Sequence, residues 1–349
     1  MRFSRALVCA AGLLLLSDQA NAASFDCAKA ETTVEKAICA DLSLSAADEK
    51  LAAVYRQTLA AAPADIRPEL VQNQRNWLVY VHRYCKPVKG APPGGVSSCL
   101  GDKYKERLGS LPQSLRTVGT ATVYQVQRFD VATEAGTDGA DDTGTMEFTM
   151  DQVAGTRPQD KQVNAYIRTL AKFPTIETQA AKPGRLAEPT EEIVNTYRLI
   201  AYTDHVAEIQ IDTWDYGHGA AHGTSDSANR FFLAQEGKEL TADHVFVPAK
   251  PWRAFLAKRC YDGLVEQGII GPDNKVFTGT AADLEPMVAQ PTHWWFDSDG
   301  LSVAFATYEV APYSAGEPAV TIPWNDLRPY LVKDTPILEL ARVPPQTPP

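Results

Sequence analysis

The sequence predicts two folds in tandem: a small disulfide-stapled helical bundle over residues 25–111, then an α+β domain over residues 118–333. The second is expected to be a mainly antiparallel sheet with packed helices. Three observations carry the prediction. Apolar residues recur at helical spacing up to residue 111, alternating strand patterns joined by glycine-containing turns dominate after Leu115, and Cys27, Cys39, Cys85 and Cys99 all fall in the first region.

Residues 1–22 read as a secretory signal peptide. Arg2 and Arg5 precede the apolar run from Ala6 to Leu16, and Ala20-Asn21-Ala22 supplies the small residues of a cleavage site. The run falls short of the roughly 20 apolar residues that span a bilayer. No later stretch is apolar enough for a transmembrane anchor, so a periplasmic or secreted protein is expected. Cys9 leaves with the signal, and the remaining cysteines meet an oxidising compartment. The formal charge is −10, and the signal removes two arginines against one aspartate, so the mature chain is more acidic still. That balance argues against nucleic acid and would draw in a basic partner, although solubility alone also explains it. Residues 343–349 are proline-rich and expected to be disordered.

Within the first region, Thr32 with Glu35 and Ser45 with Asp48 have the three-residue offset of a capping box. Asp48 and Glu49 would then complement the dipole of a first helical turn. Leu51, Val54, Tyr55 and Leu59 share one helical stripe, and Leu70, Trp77, Leu78, Val81 and Tyr84 another. Pro63 and the stretch Pro92 to Gly95 separate helices. So small a core gains from covalent staples, each contributing roughly 3 kcal/mol by chain entropy. Four cysteines allow several pairings and sequence alone does not choose; Cys27–Cys39 and Cys85–Cys99 are the pairs that close short loops. Metal spacing of the C-x-x-C kind is absent. Gln74, Arg75 and Trp77 read as packing and surface groups.

These residues carry a resemblance. Cys27, Thr32, Glu35, Ile38-Cys39, Leu44, Asp48, Leu51 and Tyr55, then Gln74-Arg75, Trp77-Leu78, Cys85, Cys99-Leu100 and Tyr104, resemble the LprI-type lysozyme-inhibitor domain in order and spacing. The resemblance covers nearly all of residues 25–111 and implies a secreted module associated with lysozyme inhibition.

Past Leu115, Ala121 to Val126 favours a strand, Ala135 to Gly144 an acidic glycine-rich loop, and residues 161–172 a helix with Val163, Tyr166, Ile167 and Leu170 on one stripe. Strands are expected at Tyr197–Tyr202, Val206–Tyr216, Arg230–Ala234, Trp294–Phe296, Leu301–Val310 and Ala319–Ile322. Glu236-Gly237-Lys238 and Asp297 to Gly300 are hairpin turns. The helix Pro251–Glu266 places Cys260 with Leu256 and Leu264 on one apolar face, as a buried and inert thiol. Strands interrupted by so few helices argue for α+β.

Residues 217–223 read GHGAAHG. Histidines four apart face one metal only on a helix, and glycine costs about 1 kcal/mol against alanine there. No glutamate lies between His218 and His222 to act as a base, so a strand-to-loop turn is the simpler reading. A metal site drawing on His205, His244 or His293 is the alternative. No nucleophile elbow, P-loop or dinucleotide fingerprint is present. Asp141-Asp142 and Glu191-Glu192 read as solvated surface, and Trp294-Trp295-Phe296 as packing in preference to a sugar platform.

Here a second resemblance appears. Tyr216-Gly217, Gly219 to Gly223, Gly237 to Leu240 with Asp243 and Phe246, Tyr308 to Gly316, and Ile322-Pro323-Trp324 with Leu327 resemble the extracellular domain of RsiV-type anti-sigma factors, also found in some polysaccharide deacetylases. In RsiV-type proteins that domain is a lysozyme receptor. His218 lies outside the shared motif, and no sigma-binding segment is present, so signalling is not implied. The combined expectation is a protein without catalytic residues, metal or cofactor that recognises and inhibits lysozyme. The loop Ala311 to Gly316 would leave the strand ending at Val310 and supply Pro312, Tyr313 and Ser314 as contacts, with Tyr308 and His222. Alternatives are a metal-dependent peptidoglycan hydrolase using His218 and His222, and an envelope module that binds peptidoglycan alone.

Overall fold

The computed structural model describes residues 23–87, 95–136, 141–172, 187–271 and 275–341. The signal peptide, the proline-rich tail, residues 137–140 of the acidic loop and residues 92–94 of the first breaker lie outside the described residues.

Helix α1 (Thr33–Ala40) begins with the expected capping box: Glu35 N donates to Thr32 Oγ1 at 3.1 Å, and Thr32 N donates to Glu35 Oε2 at 2.8 Å. The second expected box does not form. Helix α2 (Leu42–Ala61) starts earlier because the Asp41 carboxylate accepts from Ser43 N and Leu44 N and caps it. Ser45 therefore lies inside the helix, donating to Ile38 O at 2.7 Å. Asp48 is a buried acceptor for the Tyr104 hydroxyl at 2.9 Å instead of a first-turn charge.

Helices α3 (Arg67–Tyr84) and α4 (Gly95–Ser110) complete the bundle. Trp77 meets Tyr104 edge-on at 5.4 Å, with Ile38, Leu51, Val81 and Leu100 packed around them. Leu78, which its spacing places on the stripe, is instead 38% exposed. The inward face of α3 runs through Leu70, Asn73, Gln74, Trp77, Tyr80 and Val81, taking in polar side chains that an apolar count leaves out. Both disulfides, Cys27–Cys39 and Cys85–Cys99, are closed, with Cα separations of 5.8 and 5.6 Å.

The chain then builds a seven-stranded sheet in sequence order. Its strands are β1 (Leu115–Val118), β2 (Ala121–Ala135), β3 (Asp141–Val153), β4 (Glu191–Tyr202), β5 (Val206–Gly217), β6 (Thr224–Leu233) and β7 (Lys238–Glu239). All neighbours are antiparallel except β3 and β4, which run parallel. A parallel pair needs a crossover, and this one carries helix α5 (Pro158–Ala171), whose Val163 and Ile167 pack with Val123, Phe148, Leu199 and Ile209. Residues 141–144, expected in a loop, are instead the start of β3, paired with Ala132 to Ala135. Likewise β4 and β6 begin several residues before their apolar stretches. Ladder hydrogen bonds, which any residue can make, extend these strands past their hydrophobic cores.

A second, three-stranded sheet is ordered β10-β9-β8, from β8 (Trp294–Phe296), β9 (Gly300–Ala304) and β10 (Ala319–Pro323). Helix α6 (Trp252–Glu266) packs there through Leu256, Cys260 and Leu264. Trp294 and Phe296 are buried in the same core, as packing and not as a platform. Strand β9 ends at Ala304, opposite Ala319, and not at Val310; beyond it the chain turns on itself before Val310 is buried.

The bundle rests on the β2–β3 hairpin through polar contacts. Asn73 Nδ2 donates to Gln125 O at 2.7 Å, and Gln127 N donates to Asn73 Oδ1 at 2.9 Å. The Arg107 guanidinium, only 2% exposed, donates to Gln74 Oε1 at 3.0 and 3.2 Å and to Gln127 Oε1 at 2.8 Å. Arg83 pairs with Asp130 at 3.0 Å and also donates to Val131 O, and the Tyr80 hydroxyl donates to Glu147 at 2.7 Å.

Candidate functional site

The candidate site forms where the β5–β6 turn meets the β9–β10 connection. GHGAAHG is that first turn: Gly219 has φ +87°, and His218 N donates to Thr190 O at 2.8 Å. Gly223 lets the returning chain pass Trp214, where a Cβ would lie 2.6 Å from the indole nitrogen. The two histidines do not converge. His218 faces Glu192 at 3.5 Å and Asp142 at 3.7 Å, whereas His222 stacks on Tyr313 with ring centroids 3.9 Å apart and planes 20° from parallel. His222 Nδ1 lies 2.9 Å from Gly223 O; a carbonyl only accepts, so Nδ1 carries the proton.

The β9–β10 connection is closed at its base by Phe305 N donating to Pro318 O at 2.9 Å. Glu309 N donates to Ala306 O at 3.0 Å, which makes residues 306–309 a turn with Tyr308 at φ +70°. Val310 and Ala311 plug into the core below. Pro312 then leads into a short 3-10 turn, Tyr313–Ala315, and Gly316 at φ +67° sends the chain back to β10. Tyr308 is 54% and Tyr313 37% exposed, their centroids are 6.2 Å apart, and Pro312, Ser314 and His222 are exposed beside them. All five residues that the sequence nominated as contacts thus belong to these two loops. Tyr313 contacts both His222 and Tyr308.

The electrostatics around these loops are acidic. Burial and the negative charges of Asp226 and Asp212 raise the Glu317 carboxyl above its ordinary value. Arg198 answers part of that charge, at 2.8 Å from Asp212. Two features escaped the sequence reading. One is an aromatic row at the end of β5 and just past it, with Trp214 and Tyr216 stacked at 6.3 Å and Tyr216 tilted against His218 at 5.9 Å. Its signal was present, since residues 214, 216 and 218 alternate with the period of a strand face. The other is the hydrogen-bonded contact of His293 Nε2 with the Glu309 carboxylate, at 3.0 Å. Burial opposes the Glu309 charge, but hydrogen bonds from His293 and Ala306 N hold its carboxyl below the usual range.

Among the described residues no group of three or more His, Cys, Asp or Glu side chains is arranged to hold a metal ion. The Cys260 thiol is pushed up to about 12 by burial, so it is not a nucleophile at neutral pH. A cavity of about 620 Å³, lined by Trp324, Arg328, Leu331 and Leu338 among others, contains no histidine or cysteine and does not include the aromatic loops.

Residues 26–111 match the family model described as lysozyme inhibitor LprI. Residues 245–325, which include the β9–β10 connection, match the model described as a protein of unknown function, DUF3298. Among solved structures the chain is similar to a DUF3298 family member from Bacteroides fragilis NCTC 9343, at 14% identity and TM-score 0.43, covering 64% of this chain and 98% of that one. It is also similar to a DUF3298 family protein from Pseudomonas aeruginosa PAO1, at 16% identity and TM-score 0.42, with 64% and 98% covered. No curated protein matches the chain.

Proposed function

We propose that the protein binds and inhibits lysozyme, without enzymatic activity of its own, in the periplasm or after secretion. Its two domains would be residues 25–111 and 118–333. The observation that carries this reading is the lysozyme-inhibitor family model over residues 26–111. The resemblance of the second region to the RsiV-type lysozyme receptor supports it independently. Two closed disulfides suit an oxidising compartment, and among the described residues no helix is long and apolar enough to cross a membrane.

The contact surface is the cluster of Tyr308, Pro312, Tyr313 and Ser314 with His222. Exposed tyrosines on a short, backbone-bonded connection lose little entropy on docking and are credible hot spots. The acidic surroundings steer a basic partner, as many lysozymes are. A Tyr313→Ala variant should weaken lysozyme binding by about 2 kcal/mol in calorimetry, with its unfolding temperature nearly unchanged. Added salt should slow association. Binding to purified peptidoglycan but to no lysozyme, across several lysozyme classes, would replace this proposal with that of an envelope module.

A further inference from the structure

We infer that residues 306–309 form a strained display turn, in which Glu309 and His293 hold Tyr308 in a left-handed backbone so that its ring stands beside Tyr313 as a second partner contact. The inference rests on the partner-binding reading of this surface.

Glu309 N donating to Ala306 O closes a four-residue turn, and φ is +70° at Tyr308, its third residue. Thr307, the second, is not among the residues of positive φ. That is the pattern of a type II turn, whose third position calls for glycine or asparagine because a Cβ there crowds the backbone. A tyrosine at such a φ persists only when its surroundings over-determine it.

The surroundings do so. The Glu309 side chain folds back over the turn it ends, and Ala306 N donates to its Oε2 at 2.8 Å. His293 Nε2 lies 3.1 and 3.0 Å from the two carboxylate oxygens. His293 is itself fixed, with a side chain 11% exposed, Nδ1 3.3 Å from Thr292 Oγ1, and its ring 6.2 Å from that of Phe305. The Ala306 end of the turn is thus tied to the Glu309 carboxylate, and that carboxylate to His293, the residue just before β8, so the backbone has little room to relax.

Among the described residues the Tyr308 side chain itself does little to offset the strain. The Tyr308 ring is 54% exposed, it meets Tyr313 at 6.2 Å, and its hydroxyl has no hydrogen-bond partner among the described residues. Conformations of this cost collect at binding sites, where the contact made there offsets them. Tyr308 is then a contact residue, and Glu309 and His293 are positioning residues that touch no partner.

The test compares full-length wild type with Tyr308→Gly, Glu309→Gln and the double variant, each by thermal unfolding and by titration with lysozyme. Tyr308→Gly should raise the unfolding temperature, since glycine suits that φ, and weaken binding at least tenfold. Glu309→Gln should weaken binding several-fold in the wild type and not at all in the Tyr308→Gly background, which a merely structural glutamate would not do. A lower unfolding temperature for Tyr308→Gly would show that the turn is unstrained and overturn the inference. So would wild-type affinity in Tyr308→Gly; if Tyr313→Ala still weakened binding, the proposed function would stand without it. A wild type that binds no lysozyme would remove both.

Discussion

Glu208 lies near the start of β5, buried, with the neutral amide of Asn229 donating to it at 2.8 Å. Burial, and secondarily the charge of Asp297, push its carboxyl from 4.5 up to about 8. Folding therefore favours the protonated form. The stability this confers is fully present below the unfolded value of 4.5 and is lost as pH rises through about 8. Glu208→Gln, which keeps the shape and removes the titration, should unfold near the wild-type temperature at about pH 5 and several degrees above it at about pH 9. An alkaline decline as steep in the variant as in the wild type would exclude this account. At the same scale, His222→Ala should leave the metal content of the purified protein unchanged and weaken lysozyme binding, because the ring stacks on Tyr313. One tightly bound zinc per chain in elemental analysis, lost in this variant, would favour the hydrolase alternative.

Among the elements, α2 shows how local chemistry is assigned to one residue and used by another. Asp41→Ala should cost about 1 kcal/mol, as loss of a cap does, while Ser45→Ala should cost a comparable amount by another route, since it leaves a buried Ile38 carbonyl unpaired. Urea unfolding of the two single variants would check both. Ser45 and Asp48 have the offset of a box, but Asp41 reaches the free amides first, and periodicity cannot rank two competent caps. The bundle, α5, α6 and most strands were legible because each carries its own period. Strand β3 was not, because glycine and paired aspartates open it and only pairing with β2 makes it extended. The two loops were legible as loops, since proline and glycine bracket Pro312 to Gly316 and three glycines mark residues 217–223 as a turn, although the strand expected to run to Val310 ends at Ala304. The stacking of His222 on Tyr313 and the clasp of His293 on Glu309 join residues far apart in the chain, and no local spacing encodes them.

The whole molecule is joined more tightly than two expected domains in tandem. Arg107 is buried where α3, α4 and β2 meet, and its guanidinium is held there by the neutral Gln74 and Gln127 oxygens, by the Trp77 and Phe129 rings at 5.6 and 6.0 Å, and by the charge of Glu147. Burial drops it to about 10, still charged at neutral pH. Arg107→Ala should therefore destabilise by roughly 3 kcal/mol, since it orphans two buried amides and opens a cavity. The loss should appear in the sheet as well as in the helices, as one calorimetric transition shifted downward. Two separate transitions, with only one displaced, would show that the bundle and sheet unfold independently.

The same seam bears on how the chain can be cut. Residues 111–115 are the sole covalent bridge between helices and sheet, and Pro112 and Gln113 within it are exposed. With Asn73 fastened to the main chain of β2 on the far side, a nick at Gln113 should release nothing: the fragments should elute together from a sizing column in native buffer. Residues 23–112 and 113–349, made as separate polypeptides, should then find each other, and the bridge would serve to set their stoichiometry and not their grip.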